Sequence, residues 1–108
     1  MLPLTDDLYM LRVEIYCSPW CVWCWRSRLL LRSKGIHFDK IPIRMWLGIK
    51  LPSKNYRRMV ERTAGDGTVP QIFVDDHYLG TDDTLAELDR QGRLDDILAG
   101  RVPVPTPG

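Results

Sequence analysis

Long apolar runs are missing from this chain of 108 residues. Stretches such as Leu29 to Leu31 fall far short of the ~20 residues that a membrane-spanning helix needs. Residues 1 to 10 carry Asp6 and Asp7 where a secretory signal would be basic and then apolar. An excess of one charge is also lacking: 15 Lys and Arg stand against 14 Asp and Glu, a balance that demands neither nucleic acid nor an anionic membrane as partner. Cysteine is limited to three residues. So small and odd a number argues against a secreted disulfide framework and for catalytic or metal-binding thiols in a reducing compartment. The expectation is a soluble, cytoplasmic protein without internal repeats.

What is present fits one core and not two. A single domain is expected over residues 1–100, with a Pro-rich tail over 101–108 that runs free of the core. Residues 1 to 10 show no period and read as a loose arm. Arg12 to Tyr16 alternates Val13 and Ile15 against Arg12 and Glu14, which predicts a strand. From Val22 to Lys34, Cys24, Ser27, Leu30 and Leu31 recur at helical spacing while Arg26, Arg28, Arg32 and Lys34 stay in water, and Gly35 ends the helix. Ile36 to Ile43 alternates again, so a strand, a helix and a second strand follow one another, the pattern of a parallel crossover.

Residues 44 to 53 follow neither period and predict a long loop or a short extra turn. Ser53 then caps a helix over Lys54 to Thr63, with Tyr56, Met59 and Val60 inward and Arg57, Arg58, Glu61 and Arg62 outward. Val69 to Val74 and His77 to Leu79, joined at Asp75 and Asp76, predict an antiparallel hairpin. A capped helix over Thr81 to Leu88, with Leu85 and Leu88 inward, and a short one over Leu94 to Ala99 close the chain.

The chemistry is concentrated in Cys21, Val22, Trp23 and Cys24, two thiols two residues apart at the start of the first helix. A sulfur in the first turn meets unpaired backbone N–H groups and the positive end of the helix dipole, so the pKa of Cys21 is expected to fall below ~8.5. Cys21 is then the nucleophile, and Cys24, one turn on, resolves the mixed disulfide. The other chemistry open to such a pair is half of a zinc site. That requires four ligands, and the remaining candidates, Cys17, His37 and His77, stand at no ligand spacing from it.

The order β, α, β, α, β, β, α with a Cys pair opening the first helix resembles the thioredoxin-type arrangement. Val13 to Ile43 resembles the first half of a glutaredoxin. The run Thr68, Val69, Pro70, Gln71, Ile72, Phe73, Val74 resembles the segment that faces that family's active site, and residues 79 to 98 resemble its glutathione-binding turn and closing helices. The resemblance implies an α/β, thioredoxin-like fold with a mixed four-stranded sheet. It also implies a cis bond before Pro70 and strand-like pairing of glutathione with Val69, beside Thr68. Gly80, Thr81, Asp82 and Asp83 would hold the γ-glutamyl end at a helix start, where the acidic residues otherwise serve as caps. Arg57 or Arg58 would meet the glycyl carboxylate, replacing a lysine that is Ser18 here. Trp23 would offer apolar contact where the family has Tyr.

Three departures from the family stand out: Val22 replaces the Pro after the first Cys, Thr81 the second glycine, and Trp25 a His or Arg. Trp25 is expected to pack on the 44–53 loop with Trp46, and Cys17 to be a semi-buried small residue; His37 and His77 receive no chemistry. The activity implied is glutathione-dependent reduction of protein–glutathione mixed disulfides and of disulfides by a monomer. Two alternatives stay open: a homodimer sharing a [2Fe–2S] cluster through Cys21 and glutathione, and an electron donor fed by thioredoxin reductase.

Overall fold

The computed structural model describes residues 12–46, 49–50 and 53–105; the expected N-terminal arm lies outside them. In chain order the elements are β1 (Val13–Cys17), α1 (Val22–Ser33), β2 (Phe38–Pro42), β3 (Met45–Trp46), β4 (Ile49–Lys50), α2 (Lys54–Arg62), β5 (Gln71–Val74), β6 (His77–Gly80), α3 (Asp82–Arg90) and α4 (Leu94–Leu98). One mixed sheet runs in the order β2-β1-β5-β6. β1 and β2 are parallel across the α1 crossover, and β5 pairs antiparallel with both β1 and β6.

Alternation in β1 predicts one wet face, yet all five of its residues are buried. As an inner strand of a sheet covered on both sides, β1 has no wet face to show. On one side Val13, Ile15 and Cys17 join Cys24 and Leu31 of α1, Leu85 and Leu88 of α3, and Leu94, Ile97 and Leu98 of α4 in the larger core. On the other, Tyr16 and Phe73 pack under Met59 and Tyr56 of α2.

That second face overturns one expectation. Arg62 does not face water with Arg57, Arg58 and Glu61: it reaches Glu14 Oε1 at 3.0 Å and the Tyr16 hydroxyl at 2.9 Å, with its guanidinium 3.8 Å from the Phe73 ring centroid. The buried Glu14 carboxylate requires a cation, and an unpaired charge there would cost several kcal/mol.

Local signals fare better. Ser53 Oγ accepts the Tyr56 N–H at 3.1 Å, a cap of ~1 kcal/mol. Asp75 and Asp76 both hold positive φ, 50° and 67°, as a two-residue hairpin turn requires. The 44–53 segment is neither plain loop nor turn: β3 and β4 pair antiparallel within it, in runs too short for a period to appear in the sequence. Residues 101–105, the described part of the expected tail, make contacts with the rest of the chain. Arg101 is bound to Asp96 through its N–H (2.9 Å) and its guanidinium (2.7 Å), and Val104 packs on the larger core. An apolar Val between two prolines has more surface to bury than to hydrate.

Candidate active site

Strand register brings the candidate residues to one end of the sheet. β1 ends at Cys17 and the chain turns through Ser18, Pro19 and Trp20 to Cys21; β5 starts at Gln71, directly after Val69 and Pro70. Because Tyr16 lies opposite Gln71, both segments sit at the same end. β6 ends there too, with Gly80 opposite Ile72, which delivers Thr81, Asp82 and Asp83. Asn55 Nδ2 donates to the Pro42 carbonyl at 2.9 Å, tying the start of α2 to the end of β2.

Cys21 is the N-cap of α1, with extended backbone, and its Sγ accepts the Cys24 N–H at 3.3 Å. Of the three sulfurs it alone belongs to a residue that reaches the surface; Cys17 and Cys24 are 1% and 0% exposed. All three thiols are shifted from their ordinary value. This corrects the expected pKa of Cys21. Burial, followed by its hydrogen bond to the Cys24 sulfur, pushes the Cys21 thiol up, against the opposing pull of the Cys24 and Trp23 N–H groups. Cys24 is pushed up further, by its bond to Cys17 and by burial. Cys17 is drawn down, chiefly by accepting from Cys24, with Arg28 and Lys40 assisting against burial. Cys17 is also more deeply buried than the semi-buried filler expected of it.

The Val69–Pro70 bond is cis, as the resemblance implies. Sequence reading missed what braces this segment. The buried Gln71 amide donates to the Thr68 carbonyl (3.0 Å) and to Thr68 Oγ1 (3.1 Å), and the Tyr78 hydroxyl donates to Gln71 Oε1. The Thr68 N–H and hydroxyl donate to Asp66 Oδ1 at 2.9 and 2.6 Å. Burial and the Asp66 charge push the Tyr78 phenol up, so it remains a donor. Only cross-strand register puts Tyr78 beside Gln71, so the sequence carries no local sign of it.

At Gly80 φ is 137°, and a Cβ would run into the Thr84 side chain, so glycine is required there. Thr81 takes the cap position of α3 but makes no side-chain cap hydrogen bond. Asp82 and Asp83, in the first turn of α3, line an open cleft of about 270 Å³ with Arg26, Ser27 and Leu30 of α1. Arg26, expected only to face water, also lies 5.5 Å from the Trp23 ring centroid. Trp20 is fully exposed, and Trp23 and Trp25 are 52% and 56% exposed. The Trp46 side chain that Trp25 was expected to meet lies outside the described residues. Arg57 and Arg58 are exposed on α2 and make no ion pair among the described residues. No group of three or more His, Cys, Asp or Glu among the described residues is placed to hold a metal ion. The cluster alternative would draw one sulfur, Cys21, from each of two subunits, and this donor set lends it no support. No helix of the described residues is long and apolar enough to cross a membrane.

A parallel strand–helix–strand unit, a Cys pair at the helix tip and a cis-proline segment at the same sheet end together define a thioredoxin-like protein of thiol–disulfide chemistry. Residues 13–79 match the glutaredoxin family model. Glutaredoxin 3 of Escherichia coli is 39% identical over 89 residues, covering 82% of this chain and 99% of that protein. A Pseudomonas aeruginosa glutaredoxin is 36% identical over 87 residues, covering 81% and 95%. The solution structure of a Brucella melitensis glutaredoxin superposes with a TM-score of 0.69 at 31% identity, over 89% of this chain and 97% of that one. A buckwheat glutaredoxin in complex with glutathione shares the fold, with a TM-score of 0.66 at 19% identity, over 93% and 90% of the two chains. The chain belongs to the glutaredoxin family, and its chemistry is that of a thiol–disulfide oxidoreductase.

Proposed function

We propose that the protein uses glutathione as its co-substrate and that Cys21 carries the exchange. The observation behind this reading is the pairing, at one end of the sheet, of the most accessible of three sulfurs with a helix start left uncapped by its own Thr81 side chain. Cys21 thiolate attacks the glutathione sulfur of a protein–glutathione mixed disulfide. The S–S bond to the protein breaks, the protein thiolate leaves and takes a proton, and Cys21 holds the glutathionyl group. A second glutathione thiolate then attacks that glutathionyl sulfur and releases Cys21 with glutathione disulfide as product. In the dithiol route Cys24 thiolate attacks the Cys21 sulfur instead: the Cys21–glutathione bond breaks, glutathione leaves as the thiolate and takes a proton, and a Cys21–Cys24 disulfide remains.

Orientation falls to the chain's own groups. The backbone of Val69, held between Thr68 and cis Pro70, pairs with the cysteinyl unit like an added strand. First-turn N–H groups of α3 receive the γ-glutamyl carboxylate and Asp82 or Asp83 its ammonium group, beside Gly80 and Thr81. Arg57 or Arg58 takes the glycyl carboxylate, and Trp23 contacts the substrate's apolar surface. The structural neighbour from buckwheat is a complex with glutathione, which supports this choice of co-substrate. The setting is the cytoplasm, the partners are glutathionylated or disulfide-bonded proteins, and the chain works as a monomer.

The raised pKa of Cys21 is compatible with this chemistry. A small thiolate fraction at neutral pH is offset in part by greater intrinsic nucleophilicity. The test is reduction of a small glutathione mixed disulfide, assayed with glutathione and separately with thioredoxin reductase as electron source. Cys21→Ser is expected to lower the glutathione-driven rate by at least about 1,000-fold, as removal of a covalent nucleophile does, while Cys24→Ser keeps much of it. Equal loss from both changes, or turnover only with thioredoxin reductase, would overturn the one-thiol mechanism.

A further inference from the structure

A helix laid on a sheet ordinarily turns charged and polar side chains to water on its outer face. On α1 that order is broken. Cys24, Ser27 and Leu31 face the core, and the opposite face carries Val22, Trp25 and Leu29 at the i, i+3, i+7 spacing of one stripe. All three are exposed, by 60%, 56% and 42%. The stripe starts at the residue after Cys21 and runs about 10 Å along the helix axis, at ~1.5 Å per residue. Fully exposed Trp20 extends it beyond the helix start.

Cations edge this stripe on both sides. Arg26, on the side of α3, holds its guanidinium against Trp23, and Arg32, on the side of β2, lies 5.8 Å from the Phe38 ring centroid. Arg28 gives its Nε–H to the Cys24 carbonyl at 3.4 Å. α1 holds no acidic residue, and among the described residues none of these three arginines is paired with a carboxylate. The balanced charge of the whole chain conceals a division: residues 1–62 carry 12 Lys and Arg against 5 Asp and Glu, and residues 63–108 carry 3 against 9. An anionic segment is drawn to the first part and repelled by the second. Exposed tryptophan beside unpaired arginine is the pairing that anchors protein interfaces.

We propose that this stripe docks an acidic segment with apolar anchor side chains, carried by the protein whose mixed disulfide or disulfide Cys21 attacks. The anchors cover Val22, Trp25 and Leu29 while the carboxylates meet Arg26, Arg28 and Arg32. Because the stripe opens beside Cys21, a substrate seated on it brings a cysteine at the end of that segment to the reactive sulfur. An anionic membrane pressed on the same stripe would lie over Cys21 and shut the substrate out. The occupant is therefore a protein, and substrates are sorted by the charge around their cysteine.

This inference names the substrate class of the proposed glutathione reaction and rests on it, and one set of assays separates the two. The full-length protein is given three glutathionylated peptides with glutathione as reductant: a cysteine tripeptide, the same cysteine flanked on each side by about six Glu and Leu residues, and that longer peptide with Lys for Glu. At low salt kcat/KM for the acidic peptide is expected to exceed that for the basic one about tenfold, a gap that narrows as salt rises. Arg32→Glu and Leu29→Ser, both exposed and remote from the reacting sulfurs, are each expected to cut the preference about threefold or more and to leave the tripeptide's rate unchanged. Equal use of the two long peptides, or a preference that neither substitution alters, would overturn the docking inference and leave the proposed function standing. No turnover of the tripeptide with glutathione would defeat the proposed function and this inference with it. Sedimentation with phosphatidylserine vesicles that Leu29→Ser abolishes, without any peptide preference, would assign the stripe to a lipid surface and overturn the inference. A dimer in light scattering that Leu29→Ser dissociates, again without a peptide preference, would assign it to a second copy and overturn it likewise.

Discussion

The segments from Ser18 to Trp23 and from Asp66 to Gln71 meet at the same end of the sheet and are held in opposite ways. The second is cross-tied: Thr68 to Asp66, Gln71 to Thr68, and Tyr78 to Gln71. The first has Trp20 fully exposed at a φ of 62°, followed by exposed Val22 and Trp23, with a sulfur–amide bond from Cys24 closing the turn. A braced polar wall suits a small ligand that has to be aligned by its backbone groups, since alignment to within fractions of an ångström governs exchange. An exposed apolar rim suits partners that differ from one another, because apolar contact is not directional. Under the proposed function, one side of the site orients the ligand and the other accommodates the partner.

The largest break in that contrast comes from Gln71→Leu. It leaves the Thr68 carbonyl and the Tyr78 hydroxyl without their partner, at about 1–3 kcal/mol of stability. It also frees Thr68 and Val69, and KM for a glutathionylated substrate should rise about tenfold, equivalent to 1.4 kcal/mol of lost positioning. Urea unfolding and steady-state kinetics check the two parts; an unchanged KM would show that the brace serves stability alone.

Next in size is the pH dependence of Cys21 alkylation by iodoacetamide. With its pKa raised, Cys21 is mostly neutral at pH 7, and the rate should climb with pH through and beyond the ordinary thiol range. Cys24→Ala removes the sulfur that accepts the Cys21 proton and repels its charge, so the whole profile should move to lower pH. A plateau below pH 7 in the unaltered protein would instead favour control by the helix dipole. The smallest effect belongs to the accommodating side. Trp20→Ala should leave stability within about 0.5 kcal/mol, as exposed substitutions do. Turnover of a small mixed disulfide should also hold, while reduction of a bulky protein disulfide slows.

Features set by neighbours in the chain were legible from the residues. The Cys pair at the start of a helix, the Ser53 cap, the Asp75–Asp76 turn and the inward Leu85 and Leu88 all follow from spacing. The fold and the cis bond at Pro70 came through the resemblance that these motifs carry. What escaped depends on distant partners. Arg62 turns inward because Glu14 lies beneath it, 48 residues away. Gln71 and Tyr78 meet only through strand register, and Val104 finds a core formed by earlier elements. The upward shift of Cys21 has the same origin: the helix start is visible in the sequence, but not the burial and not the Cys24 sulfur that raises the Cys21 thiol.

The most direct measurement is the intact mass of Cys24→Ser after brief exposure to glutathione disulfide, with the adduct located by digestion. One glutathionyl group on Cys21, removed again by reduced glutathione, is the predicted result. No adduct, or one carried by Cys17 with Cys21 left free, would contradict it.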